Sequence, residues 1–340
     1  MMATFSALAT GLAALAVAFA LLTWLRARQR TARREAAFPP RGRFLTIRGQ
    51  RLHVVQDGPT DGPDVVLLHG ASANLRDLQI SLLPGLVAAG FRVTLFDRPG
   101  LGHSQPCAPG RSLLQQADLL DAACAELGLE EVILCGQSFG GALAACWAVH
   151  HPERLAGLVL ISAPVYPWPP EIARSFRLLA RPLIGPPLAW LLSAWLPQRR
   201  LQTALREQFS PEPVPRDYLR RSGFALALRP AALRTDALER RGLFSDLQDM
   251  VARLPQLSLP VELLHGTEDS QVRPDRHAEP LRAEVSGARL KWLKGAGHMP
   301  HHTHADSCVD AIARVARRSR AGLVPPRPGT AERTHPDARA

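Results

Sequence analysis

Several residue types are scarce in this chain, and each shortage excludes something. Of its 41 basic residues only Lys291 and Lys294 are lysines. The Ala, Arg and Pro excess reflects genomic codon bias, so no single arginine marks a function. Aromatics make up 6% of the sequence, with two tyrosines, and the core must be built mainly from Leu, Val and Ala. The five cysteines (Cys107, Cys124, Cys135, Cys146, Cys308) are odd in number, widely spaced and without a CxxC pair. That excludes a disulfide scaffold and a thiolate zinc site, and leaves buried reduced thiols as the expectation.

Charge is missing altogether from the first 25 residues. Residues 3–25 would form about 34 Å of helix at 1.5 Å per residue, enough to cross a ~30 Å hydrocarbon core. The next nine residues, RARQRTARR, carry five arginines. A cleaved signal peptide would place its positive charge before a shorter apolar run. Residues 1–25 are therefore read as an uncleaved transmembrane anchor, ahead of a cleaved signal or a buried helix, with a basic juxtamembrane linker over 26–43. The positive-inside rule makes this a single-pass membrane protein with its body in the cytoplasm. A reducing compartment suits the odd cysteine count. Residues 319–340 lack apolar periodicity and are rich in Pro, Gly and charge, so a disordered tail is expected there.

The 340 residues are 46% apolar and 21% charged, a globular balance. A formal charge of +11 points first to nucleic acid or an anionic membrane. Its distribution removes nucleic acid as a partner. Seven Arg and one Glu fall in 26–43, and seven Arg, one Glu and one Asp fall in 314–340. Residues 44–313 hold 27 basic and 27 acidic side chains and are neutral. Within that body, 164–259 holds 14 Arg against eight acids, a net +6. This segment and its apolar Leu188–Leu196 stretch could face the anionic leaflet beside the anchor.

Short apolar runs alternate with helical stretches through the middle. Phe44–Ile47 and Leu52–Val55 flank an Arg-Gly-Gln-Arg turn, a hairpin pattern. Further strands are expected from Asp64 and at Phe91–Phe96, Val132–Cys135, Leu158–Ile161, Val261–Leu264 and Leu290–Leu293. Helices are expected at 76–89, 112–127, 141–150 and 305–317. Continuous apolar strands alternating with helices give an α/β fold with a mostly parallel, doubly covered sheet. Residues 164–259 contain no convincing strand, only helical stretches punctuated by prolines. They fall between two strands of the sheet and so form an inserted helical cap.

The sequence Gly136-Gln-Ser138-Phe-Gly140 follows a strand and opens a helix. A sharp strand-to-helix turn forces the Ser into a strained backbone conformation, and side chains at the flanking glycines would clash. The turn lifts the hydroxyl clear of the sheet and frees a backbone N–H at a helix N-terminus, where it can stabilise negative charge. A serine hydroxyl needs a base, and the base needs an orienting acid. Candidates follow in the order Ser…Asp…His: Gly266-Thr-Glu-Asp269 and Gly295-Ala-Gly-His298 each end a strand, where ligands of α/β sheets collect. His69-Gly70-Ala71 also ends a strand and can offer a second N–H.

These motifs, with Asp97-Arg-Pro-Gly-Leu-Gly102-His-Ser104, resemble the α/β-hydrolase fold family in its esterase, C–C hydrolase and perhydrolase branch. The resemblance covers 44–163 and 260–318, and the cap matches in position only. It implies Ser138 as nucleophile, His298 as base and Asp269 as acid, with Phe139 and Ala71 N–H groups as the oxyanion hole. Asp269 competes with Glu268, and Ala71 with Ser72. It implies that Asp97–Ser104 is a structural loop. His301, His302 and His304 lack an accompanying carboxylate and are read as a solvated helix start, without a metal; His53 and His103 are read as surface residues. Serine at the turn, where epoxide hydrolases and dehalogenases carry Asp, and the two tyrosines weigh against epoxide chemistry. The expected activity is hydrolysis of a small apolar ester or related acyl substrate through an acyl-enzyme, with no cofactor. Alternatives are a C–C bond hydrolase, a cofactor-free perhydrolase, or a non-catalytic membrane protein that binds lipid or pigment.

Overall fold

The computed structural model describes residues 2–105, 112–168 and 172–322. Cys107 and residues 323–340 lie outside them. Eight strands form one sheet: β1 (Arg43–Ile47), β2 (Gln50–Asp57), β3 (Asp64–Leu68), β4 (Arg92–Phe96), β5 (Val132–Gln137), β6 (Leu155–Ile161), β7 (Val261–Gly266) and β8 (Arg289–Leu293). Their spatial order is β1-β2-β4-β3-β5-β6-β7-β8. The β1–β2 hairpin and the β2–β4 pair are antiparallel, and the remaining pairs are parallel. The fold is α/β, as the alternation of elements predicts.

Helices α1 (Met2–Ala37), α2 (Leu75–Ser81), α3 (Leu83–Ala88), α4 (Leu113–Glu126) and α5 (Phe139–His150) precede β6. Between β6 and β7 lie α6 (Arg174–Leu179), α7 (Gly185–Trp195), α8 (Gln198–Phe209), α9 (Tyr218–Arg221) and α10 (Pro230–Val251), and no strand occurs there among the described residues. The chain continues with α11 (Pro274–Glu284), α12 (Pro300–Thr303) and α13 (Ala305–Arg320). The single helix expected over 76–89 is two, because Pro84, which lacks an N–H, begins a new first turn. Ser112 starts α4 by a reciprocal capping box with Gln115. The C-terminal helix reaches Arg320, beyond the expected start of the tail.

Strand β5 is buried at all six positions because both faces are covered. Val132 and Leu134 pack towards α4 and α5, while Ile133 and Cys135 pack towards α2, α3 and α13. The described cysteines, Cys124, Cys135, Cys146 and Cys308, are buried and unpaired. Burial pushes the Cys146 and Cys308 thiols up to about 12, which keeps them protonated and inert.

The expected linker is not a separate segment: α1 runs without a break from the apolar stretch to Ala37. Its first part carries exposed apolar side chains, and no residue of its apolar window is buried. The second part packs on α7. Arg26, Arg30 and Arg34, four residues apart, share one face of α1. Arg26 donates to Ala194 O at 2.9 Å, Arg30 to Ala194 O at 2.8 Å, and Arg34 to Ser193 Oγ at 3.0 Å. Three guanidiniums thus meet the carbonyl end of α7, where its dipole is negative. Trp195 completes the joint, stacking on Phe19 and donating to Thr23 Oγ1 at 3.1 Å.

Candidate active site

The turn between β5 and α5 puts Ser138 at φ 50°, ψ −122°. A non-glycine residue there costs about 1–3 kcal/mol, and the surroundings enforce it. The Ser138 N–H donates to Ile161 O at 2.9 Å, and its carbonyl starts α5 by accepting from Gly141 and Ala142. A Cβ on Gly136 would stand 2.2 Å from Gly140 O, and one on Gly140 would stand 2.2 Å from Leu68 O. The two flanking glycines are therefore required by close backbone approach.

His298 Nε2 lies 3.0 Å from Ser138 Oγ, and its Nδ1 lies 2.9 Å from Asp269 Oδ2. The structure thus joins three side chains drawn from three strand ends, 160 residues apart at the extreme. Glu268, the competitor in sequence, is exposed. Asp269 is buried and also accepts from the N–H groups of Gln271 and Val272, each at 2.9 Å. Burial alone would raise its carboxyl. The charge of His298 and hydrogen bonds from His265 and His298 outweigh that and hold it well below the usual carboxylate range. The His298 loop is fixed on both sides. Gln137 Nε2 donates to His298 O at 3.2 Å, and Glu212 of the inserted helical segment accepts from Gly297 N at 3.0 Å.

Ala71 and Phe139 border the same cavity as Ser138 and His298, a space of about 140 Å³ walled also by Trp168 and Leu243. The N–H of Ser72, the alternative donor in sequence, is committed to Asp236 Oδ1 at 2.9 Å.

Behind this wall sits a residue to which the sequence reading gave no role of its own. Arg98 is completely buried. It donates to His69 O at 2.9 Å and Gly70 O at 3.2 Å, and its guanidinium lies 4.4 Å over the Phe139 ring. Its charge is met by Glu239 of α10 at 2.7 Å. One arginine thus holds both loops that carry Ala71 and Phe139 and ties them to α10. Arg98 lies inside the Asp-Arg-Pro-Gly motif, which was a signal. Glu239, 141 positions away, had none. The Arg98 N–H also donates to His69 Nε2 at 3.0 Å. Burial and the Arg98 charge push His69 down to about 4, so its ring stays neutral and can accept.

The other histidine assignments need correction. His53 is buried, with Nδ1 2.6 Å from Asp97 Oδ2 and Nε2 against Arg41 O. His103 is half-buried, with Nε2 2.8 Å from Phe38 O. Both were expected at the surface; their partners are remote in sequence and so were invisible there. His301 and His302 are likewise not a solvated helix start. Their Nε2 atoms meet Asp77 of α2 at 2.8 and 2.9 Å, and Tyr218 donates to the same carboxylate at 2.8 Å. A carboxylate does accompany these histidines, supplied 224 residues away. The spacings are those of hydrogen bonds. Tetrahedral ligands at about 2.0–2.1 Å from a zinc ion stand about 3.3 Å apart.

Comparison with known proteins places this geometry. Residues 63–305 match the alpha/beta hydrolase fold family. The chain is 33% identical over 270 residues to the pimeloyl-[acyl-carrier protein] methyl ester esterase of Aromatoleum aromaticum, covering 75% of this chain and 98% of that one. It is 29% identical over 294 residues to the 2-hydroxy-6-oxononadienedioate/2-hydroxy-6-oxononatrienedioate hydrolase of Klebsiella pneumoniae, covering 82% and 96%. A solved bacterial membrane phospholipase A superposes with a TM-score of 0.64 at 22% identity, over 94% of this chain and 99% of that one. With a family match over most of its body, an eight-stranded sheet of the right order and esterase and hydrolase relatives, the chain belongs to the α/β-hydrolase fold family and is a hydrolase.

Proposed function

We propose that the chain is a membrane-anchored serine hydrolase that cleaves a small apolar ester or related acyl compound. The observation that carries this reading is the unbroken line Ser138 Oγ–His298 Nε2/Nδ1–Asp269 Oδ2, with steps of 3.0 and 2.9 Å. His298 takes the Ser138 proton as the hydroxyl attacks the acyl carbon, and Asp269 holds the ring in the tautomer that can accept it. The N–H groups of Phe139 and Ala71 face the charge developing on the carbonyl oxygen. His298 returns the proton to the leaving group, then activates the water that releases the acyl group from Ser138.

Anchoring is proposed on α1, which has the length and composition to cross a bilayer. The superposition on the membrane phospholipase A supports this, because 94% of this chain is more than residues 44–322 can supply. The body then lies on the cytoplasmic side, with α7 against the membrane surface. A small acyl group is proposed because the space beside Ser138 is only about 140 Å³.

Labelling the membrane fraction with a fluorophosphonate probe tests the nucleophile. Wild type is expected to label at one site and Ser138→Ala not at all; undiminished labelling of S138A would sink the mechanism. A second reading, a C–C bond hydrolase, is kept open by the Klebsiella relative, which spans nearly its whole length. Turnover of a vinylogous diketone with no turnover of short esters would favour it.

A further inference from the structure

A second cavity, about 860 Å³ and sharing no wall with the Ser138 cavity, opens between α1, β2 and the start of α10. Its α1 wall is the face bearing Arg28, Thr31 and Glu35, distinct from the Arg26–Arg30–Arg34 face that grips α7. Arg51 enters from β2 and Arg229 from the turn before α10. Three guanidiniums face one carboxylate, and that carboxylate, Glu35, is engaged by Arg229 at 2.8 Å.

The other two cations are held but not neutralised. Arg28 lies 4.7 Å over the Trp24 ring and Arg51 4.4 Å over the Phe44 ring. Aromatic faces fix a guanidinium in place without cancelling its charge. Among the described residues neither has an acidic partner. In the same wall Thr31 Oγ1 is buried with no hydrogen-bond partner. A helical threonine usually satisfies its hydroxyl on the preceding turn, and here that bond is not made. The remaining wall includes the apolar faces of Phe44 and Trp190.

The depth of the cleft says what fits. Arg28 is three residues past Leu25, about 4.5 Å along the axis, and each leaflet's headgroup layer is roughly 5–7 Å thick. We propose that this cleft binds the headgroup of an anionic phospholipid of the surrounding leaflet. Arg28 and Arg51 hold its phosphate, and the glycerol and first chain carbons lie on Trp190 and Phe44. The proposal rests on reading residues 3–25 as a bilayer anchor. A free phosphate would use the cations but not the apolar wall, and would leave most of the volume empty.

The test uses the full chain in neutral detergent, in the Ser138→Ala background so that no probe is consumed. Dihexanoyl phosphatidylglycerol, dihexanoyl phosphatidylcholine and inorganic phosphate are titrated against unfolding temperature and native-mass retention. Saturable phosphatidylglycerol binding is expected, at least tenfold tighter than phosphatidylcholine and absent for phosphate. R28Q/R51Q should weaken it at least tenfold while its own unfolding temperature without probe falls by only a few degrees, since among the described residues neither side chain makes a hydrogen bond and each gives up one exposed cation–π contact. Equal binding of the two lipids, full protection by phosphate alone, or unchanged binding by R28Q/R51Q would each overturn the proposal. Alkaline carbonate extraction separates the two claims. Release of the chain with phosphatidylglycerol binding intact overturns the anchor, and with it the bilayer as source. A chain retained in membranes whose lipid binding ignores R28Q/R51Q overturns the cleft alone.

Discussion

Replacing Glu239 by Gln tests whether α10 and the loops beside Ser138 form one mechanical unit. The Arg98–Glu239 pair spans 2.7 Å, with side-chain exposures of 0% and 4%. Removing one partner of such a pair costs about 3–5 kcal/mol, because the remaining charge is left buried without its counter-ion. Gln keeps an oxygen for Arg98, so we expect the lower end, about 3 kcal/mol. At about 2–4 °C per kcal/mol for a body of this size, the unfolding temperature should fall by roughly 6–12 °C. Activity should fall too. Arg98 orients the carbonyls of His69 and Gly70 and packs on Phe139. The proposed N–H donors at Ala71 and Phe139 would survive but be less well aimed. The loss in kcat should then be about 10–100-fold, below the 10²–10³ typical when an oxyanion donor is deleted, with KM little changed. The control is R98M/E239M. Replacing a buried pair by apolar groups is often neutral for stability, so the double variant should regain most of the unfolding temperature without regaining kcat. Full kcat in R98M/E239M would refute the positioning role, and an unshifted E239Q midpoint by scanning fluorimetry would refute the energetic one.

Asp269→Asn should lower kcat on a short ester by about four powers of ten, as the ring loses its fixed tautomer, with the unfolding temperature measured alongside to exclude collapse of the fold. Stability should drop in mild acid. His69 and His301 are each held at about 4 by burial, whereas the unfolded chain protonates them near 6.5. Between those values the unfolded state binds more protons, so each withdraws up to about 3 kcal/mol as pH falls from about 6.5 to 4; an unfolding midpoint that is flat from pH 7 to 5 would contradict this. Asp269, whose carboxyl is depressed, has the opposite profile: its contribution is in place above about pH 4 and is lost only below it. Neutralising the α1 face with R26Q/R30Q/R34Q should free α7 from α1 and speed proteolysis near residues 196–200, read by timed digestion, while the sheet keeps its far-ultraviolet signal. Finally, p-nitrophenyl acetate and butyrate should be hydrolysed with higher kcat/KM than the octanoate, the ordering that a cavity of about 140 Å³ imposes.

Much of this was written in local pattern. The continuous apolar runs became buried strands because both sheet faces are covered, and Gly136-Gln-Ser138-Phe-Gly140 announced its turn because no other residues fit the backbone there. What the sequence hid were partnerships at long range. Asp77 is an ordinary acid on an amphipathic helix until His301 and His302 arrive from the far end of the chain. His53 and His103 looked solvated because their acceptors, Arg41 O and Phe38 O, belong to a stretch that read as a linker. The arginines at 26, 30 and 34 counted in the sequence only as part of a basic run, although they stand four residues apart. Only the carbonyl end of α7, more than 150 residues on, gives that spacing a meaning.

The same long-range ties decide how the inserted helices can move. Several of their residues are bound to the hydrolase body, four of them through charged groups. Glu212 holds Gly297 N, Tyr218 holds Asp77, Asp236 holds Ser72, and Glu239 holds Arg98. Each is a hydrogen bond to a charged group, worth about 1.5–3 kcal/mol. Swinging the whole insertion away as a lid would break all four together, at about 6–12 kcal/mol, which rivals the entire stability of an ordinary domain. Rigid-body opening is therefore too costly to occur on each turnover, and α1 braces α7 further. Access to Ser138, which is itself only half-buried, is then tuned by the side chains that wall the cavity, Trp168 and Leu243 among them. Substrate size is then set by the rigid frame, and it is those wall residues, more than the ties behind them, whose substitution should change which acyl groups enter.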